Sequence, residues 1–247
     1  MPSLQLAHPL SEPPTRPLSR PRRLLRSVGY AVAFTLPVAA IGYLVRSRWE
    51  PILHLDESVI RTATSFTRER PGLFRALVVW EEMLQPRWVY LVGTAVCIVV
   101  WRRWGWTGRA LWAFVTMMLA WNLALDIKIL VARARPVVED ALTHAPGYSF
   151  PSGHAANTAA ASTTLVILLW PALRRRGRTI AVATAAVVTL VTAADRVLLG
   201  VHYPSDVTAG VALGAGLALA SYAGWRPTLP QLAALAPSAQ PEQPAGK

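Results

Sequence analysis

The chain has 247 residues, 53% of them hydrophobic and only 15% charged, and 25 Lys and Arg against 13 Asp and Glu give a formal net charge of +12. A mean hydropathy of +0.35 excludes an ordinary soluble domain and points to a polytopic membrane protein. The arginines stand in short clusters between apolar runs, which argues against a nucleic-acid partner and matches loops that meet anionic lipid headgroups.

Residues 1–27 are rich in proline and arginine and predict a disordered basic tail. Six apolar segments follow: Val28–Val45, Trp88–Trp101, Ala110–Leu130, Ala155–Trp170, Thr179–Ala194 and Val207–Tyr222. Each is near the length of a bilayer-spanning helix, the second being short. No small-residue cleavage site precedes Arg46, so the first segment reads as a retained anchor. Between the first two, Pro51–Arg70 reads as an amphipathic interfacial helix and Leu73–Leu84 as a short, partly embedded one. Residues 225–247, rich in Pro, Ala and Gln, predict a second disordered tail. The expected fold is therefore all-α: a membrane bundle of about six spans over residues 28–224, with short interfacial helices.

Arginine bias sets an expected orientation. The N-terminal tail, the Arg102–Arg109 turn and the Arg174–Arg178 turn are short and purely basic, so they are assigned to the cytoplasmic side. The 46–87, 131–154 and 195–206 loops then face outward.

Three polar clusters fall on that outer side. The first is Lys128-x6-Arg135-Pro136. Lys128 is the only lysine before the C-terminal Lys247, and a charge in an apolar run is costly and usually functional. A seven-residue spacing is nearly two helical turns, which predicts Lys128 and Arg135 on one helix face. The second cluster is Pro151-Ser152-Gly153-His154, directly before an apolar span. It predicts a helix N-terminus with Pro151 in its first turn, a natural anion site. The third is Arg196-x5-His202-x3-Asp206, with Pro204 opening the last helix. A carboxylate beside His202 fixes its tautomer and frees the other nitrogen as a nucleophile. Taken singly, each cluster also fits a structural role: a snorkelling pair, a capped helix start, a polar loop. Together they put three cations, a helix end and two histidines at one end of a bundle, which suits phosphoryl transfer. No acidic cluster suggests magnesium, no zinc spacing is present, and no cofactor is expected.

The combination K-x6-RP, PSGH and R-x5-H-x3-D over residues 128–206 resembles the signature of the type 2 phosphatidic-acid phosphatase superfamily, in its integral-membrane branch. Vanadium haloperoxidases share that signature but are soluble. The resemblance implies that His202 attacks phosphorus, Asp206 orients it and His154 protonates the leaving oxygen. It also implies that Lys128, Arg135, Arg196, Ser152 and Gly153 hold the phosphate oxygens, without metal. The implied substrates are lipid phosphates or diphosphates, such as phosphatidate, phosphatidylglycerol phosphate or undecaprenyl diphosphate. The implied setting is the outer face of a cell membrane, the composition being compatible with a GC-rich bacterium. A phosphotransferase and a non-catalytic lipid-phosphate binder are the alternatives. Oligomeric state is not encoded in these motifs.

One position departs from the pattern. Asp195 stands where a small residue usually precedes the arginine. The expectation is that it pairs with Arg133 or Arg135, an alternative being that it points to water. Asn122 and Asp126 are expected to make interhelical hydrogen bonds. His144, His54 and Asp56 are expected to be solvated or interfacial. Tryptophans 88, 101, 104, 106 and 112 are expected in interfacial belts.

Overall fold

The computed structural model describes residues 20–137, 143 and 145–225; the first tail up to residue 19, the second tail from 226 and His144 lie outside them. Eight α-helices follow in order among the described residues: α1 Arg20–Arg46, α2 Glu50–Arg68, α3 Pro71–Met83, α4 Pro86–Trp104, α5 Thr107–Val131, α6 Gly153–Leu169, α7 Arg175–Leu198 and α8 Pro204–Trp225. Five of them, α1, α5, α6, α7 and α8, are long and apolar enough to cross a membrane. A sixth span arises when α3 and α4 are taken together, with a 50° bend between them. The expected short second span falls on α4, which is long and apolar enough only when joined to α3. The basic tail is corrected at its end, because residues 20–27 belong to α1.

The elements start and stop where the sequence forces them. Prolines occupy the first turns of α2, α3 and α4, where the missing N–H is no loss. Gly105 takes a left-handed conformation and ends α4. Ala132 does the same for α5, with φ 51°. Arg135 precedes Pro136, which disfavours helix at that residue. The predicted shared helix face is corrected accordingly: Lys128 lies in the last turn of α5, and Arg135 lies beyond it in extended chain.

The centre of the bundle is α6 against α8. Gly210 and Gly214 are four apart on one face of α8. A Cβ on Gly210 would come within 2.7 Å of the Ser152 carbonyl oxygen, and one on Gly214 within 2.1 Å of that of Ala156. Only glycine permits this backbone approach, a small-residue packing device typical of membrane helices. It brings the starts of α6 and α8 to the same end of the molecule. α1 runs antiparallel to α8, with Phe34 against Gly216 and Ser27 against Gly224. The second half of the core joins α4, α5 and α6 around Cys97, Val100, Met117 and Leu168. Trp112 is 6% exposed and stacks on Trp225, so it belongs to this core and not to an interfacial belt. Trp88 and Trp101 are exposed, as a belt requires.

α2 is amphipathic, and its buried stripe reads Asp56, Ile60, Thr64 and Thr67. Asp56 is 1% exposed, which corrects its expected interfacial place. His54, on the other face, is exposed beside Glu50. Asn122 donates to the Met118 carbonyl of its own helix and to no other helix among the described residues, which corrects the interhelical bond expected of it; Asp126 is exposed on α5.

Candidate active site

The three motifs meet at the end of the bundle where α5 and α7 finish and α6 and α8 begin. Ser152 caps α6, its hydroxyl accepting from the Ala155 amide, and Pro151 precedes the helix rather than entering it. The Ser152 amide donates to the Asp206 carbonyl at 3.0 Å, tying the start of α6 to the start of α8. A Cβ on Gly153 would lie 3.8 Å from the Lys128 side chain, so glycine keeps this helix end open beside the cation. His154 sits within electrostatic reach of Arg196, His202, Lys128 and Arg135. Its Nε2 is buried without a hydrogen-bond partner among the described residues.

Chain folding, not helix periodicity, brings the first motif together. Lys128 Nζ donates to the Tyr148 carbonyl at 2.8 Å. Arg135 donates to the Pro146 and Gly147 carbonyls and, through Nη1, to the Val201 carbonyl at 2.8 Å. The same Nη1 lies 3.2 Å from His202 Nε2. Burial, then Arg196, moves the Arg135 pKa down, with Asp206 and Glu81 pulling the other way.

The Arg135 contact assigns the histidine tautomer. A guanidinium only donates, so Nε2 must present its lone pair and the proton must reside on Nδ1. Nδ1 faces Asp206 Oδ2 at 3.5 Å, a close electrostatic approach without hydrogen-bond geometry. Burial pushes the His202 pKa down to about 4, against the pull of Asp206. The ring is thus neutral at pH 7, with its Nε2 lone pair accepting from Arg135.

Asp206 is itself held from three directions. It accepts from the Tyr203 amide at 2.9 Å and from Arg133 Nη1 at 2.7 Å, and its helix is fixed through Ser205. Asp56 of α2 accepts from the Ser205 amide at 3.0 Å and from Arg133 Nη2 at 2.7 Å. Arg133 is also stacked on the Tyr203 ring at 4.0 Å. Burial opposes the charge of Arg133, but Asp206 and Asp56 outweigh it and raise its pKa. Arg133 and Asp56 were outside the expected site. The available signal was Asp56 on the buried stripe of an otherwise amphipathic helix.

Arg196 is almost fully buried and its fork is divided between two carboxylates. Nε and Nη2 donate to Asp195, and Nη1 donates to Glu81 of α3 at 2.5 Å. The expected pairing of Asp195 with Arg133 or Arg135 is therefore corrected. Arg133 is already taken by Asp56 and Asp206, and Asp195 folds onto its own neighbour. The water-facing alternative fails as well, since Asp195 is 1% exposed. Glu81 was not anticipated; it arrives from a helix 115 residues away in sequence.

The class these features define is a membrane helical bundle that gathers cations, a helix N-terminus and two histidines at one end. The comparisons with known proteins narrow it. The model of the PAP2 superfamily matches residues 109–228. A decaprenylphosphoryl-5-phosphoribose phosphatase of Mycolicibacterium smegmatis is 32% identical over 161 residues, covering 63% of this chain and 81% of that one. Its counterpart of Mycobacterium tuberculosis is 36% identical over 131 residues, 52% of this chain and 66% of that one, so the chain spans just under two thirds of that relative. Phosphatidylglycerophosphatase B of Bacillus subtilis is 31% identical over 113 residues, 43% of this chain and 55% of that one. The crystal structure of a transmembrane PAP2-type phosphatidylglycerolphosphate phosphatase from Bacillus subtilis superposes with a TM-score of 0.67 at 21% identity, covering 79% of this chain and 94% of that one. The chain belongs to the PAP2 superfamily.

Proposed function

We propose that this protein is a membrane lipid phosphatase that removes a phosphomonoester from a lipid headgroup through a phosphohistidine on His202. The relatives named for phosphatidylglycerophosphate and decaprenylphosphoryl-5-phosphoribose support the substrate class. The observation that carries the chemistry is the 3.2 Å contact between Arg135 and His202 Nε2, which keeps the attacking lone pair beside a phosphate-binding cation.

In this reading the phosphate displaces carbonyl contacts of Lys128 and Arg135 and takes donors from Arg196, Ser152 and the Gly153 amide. As phosphate draws the Arg135 guanidinium off Nε2, the freed lone pair attacks phosphorus while the bond to the lipid oxygen breaks. That oxygen takes a proton from protonated His154. Water then attacks phosphorus, His154 accepts its proton, and the P–N bond breaks to release inorganic phosphate. Asp206 stabilises the charge that His202 acquires, while Arg133 and Asp56 hold Asp206 in place. The fixed cations stabilise the trigonal-bipyramidal phosphoryl group. The site lies at the outer membrane surface if the arginine bias sets orientation.

The test is phosphate release from phosphatidylglycerophosphate and phosphatidate by purified protein, with acid-stable and acid-labile phosphoenzyme measured after rapid quench. An acid-labile phosphoenzyme present in the wild type and missing in His202→Ala supports the reading. Turnover retained in His202→Ala rejects it.

A further inference from the structure

Behind Arg133 lies a cavity of about 580 Å³ that the proposed reaction does not use. It sits where α1 ends, α2 begins and the chain leaves α5. Its polar lining is Arg46, Arg48, Glu57, Arg133 and Tyr203, and its apolar wall includes Val45 and Val131. Two of the charged groups are already neutralised. Arg133 pairs with Asp56 and Asp206, and Glu57 lies 3.4 Å from Arg61. Arg46 and Arg48 have no ion-pair partner among the described residues. Arg46 is fixed in position, because its Nη1 caps the end of α5 at the Leu130 and Val131 carbonyls. Arg48 adopts φ 55°, a left-handed conformation uncommon outside glycine, within the sharp turn between α1 and α2. A strained arginine at a cavity lip is a reason to look for a ligand.

The cavity and the His202 site share one wall. On that wall Arg133 stacks on Tyr203, the residue next to His202. Ala132 and Ala134 line the cavity, and Arg135 reaches His202. The three steps from Ala132 to Arg135 span at most roughly 10 Å of chain. Two adjacent cation-bearing places of this kind suit a ligand with two anionic groups joined by a short linker.

We infer that this cavity binds the second, non-scissile phosphate of the substrate, a phosphodiester that links the lipid tail to a small polyol bearing the scissile monoester. This deepens the reading of the chain as a lipid phosphatase and rests on it. Arg46 and Arg48 supply the cations. Val45 and Val131 receive the start of the tail at the ends of α1 and α5. The polyol crosses over the Arg133–Tyr203 wall, and its monoester enters the His202 site. A lipid with only a monoester leaves the cavity unused.

The experiment compares phosphate release from two lipids in the full-length protein. Phosphatidylglycerophosphate carries both a diester and a monoester, and phosphatidate carries a monoester alone. Arg48→Gln and Arg46→Gln should each lower kcat/KM for phosphatidylglycerophosphate by about tenfold, mainly through KM, the scale of one charge-assisted contact. Phosphatidate turnover should stay within about twofold of the wild type, and Arg48→Lys should retain most of the preference. Among the described residues Arg46 and not Arg48 hydrogen-bonds the end of α5, so Arg48→Gln keeps the test open if Arg46→Gln folds poorly. Equal losses on both lipids, or none on either, overturn the inference. If phosphatidylglycerol in the vesicles slows phosphatidate hydrolysis by the wild type but not by Arg48→Gln, the cavity takes a bystander lipid and the assignment to substrate is wrong. Failure of the underlying reading looks different: the wild type then releases phosphate from neither lipid.

Discussion

Asp195 folds back onto Arg196, its neighbour in sequence, and the two side chains form an ion pair closed off from solvent. The arginine proposed to receive phosphate thus arrives already half neutralised. Its one remaining direction, Nη1, is occupied by Glu81, whose side chain is 21% exposed. The buried carboxylate holds the arginine, and the accessible one occupies the donor proposed for phosphate.

Glu81→Gln should therefore tighten binding of inorganic phosphate and vanadate, by roughly threefold to tenfold, the size of one exchangeable charge-assisted contact. Inhibition constants measure this directly. Weaker inhibition together with a fall in kcat would identify Glu81 as a support for Arg196 instead of a competitor.

Asp195→Asn should act in the opposite sense. Removing one member of a buried pair typically costs about 3–5 kcal/mol, with the low end expected because Glu81 remains. The melting temperature should drop and activity should fall with it. The coupling should be with Glu81→Gln, not with substitutions at Arg133 or Arg135. An additive double variant would contradict the shared hold on Arg196.

The neutral form of His202 should control the acid limb of the pH profile. Its pKa of about 4 lies below the ordinary value near 6.5. Activity should persist through pH 5 and fall as pH drops through about 4, when Nε2 takes a proton. The same shift means that the unfolded chain binds the proton first, so thermal stability should decline as pH falls below roughly 6.5. In Asp206→Asn the carboxylate that holds this pKa up is gone. The limb should move lower while the rate falls by about a hundredfold or more. A limb unmoved by that change would exclude His202 as its source.

The two histidines should separate by leaving group. His154→Ala should reduce turnover of an alkyl lipid phosphate by about 10²–10⁴ and spare a nitrophenyl phosphate, whose leaving group needs no proton. Equal losses on both substrates would remove His154 from the acid role.

Orientation can be read with single cysteines, since the native Cys97 is buried. Ser47→Cys lies at the end of the bundle with the site, and Arg176→Cys at the opposite end; both positions are exposed. In intact cells a membrane-impermeant thiol reagent should label the first and not the second. The reverse pattern would place the site on the cytoplasmic side.

Much of this arrangement was legible in the chain because it is local. Pro204 opening α8, Asp206 in its first turn and the Ser152 cap of α6 all depend on residues within one helical turn. The apolar runs located the spans for the same reason. What stayed hidden depends on distance. Asp56 reaches Ser205 across 149 positions and Glu81 reaches Arg196 across 115, and no local period encodes either pairing. The shared helix face assigned to Lys128 and Arg135 failed because a spacing of seven carries no information about where a helix stops. Ala132 and Pro136 decided that.

The position of Asp56 has a mechanical consequence. One face of α2 carries this carboxylate inward to Arg133, and its other face leaves Leu55, Val59 and Phe66 exposed. As an amphipathic helix with that apolar outer face, α2 is expected to lie at the bilayer surface, over the residues that brace His202. Lateral pressure, headgroup packing or detergent choice acts on those apolar side chains first. A force that lifts α2 should draw Asp56 away from Arg133, slacken Asp206 and let the His202 imidazole turn, so the membrane surface would become part of what keeps the proposed nucleophile aimed.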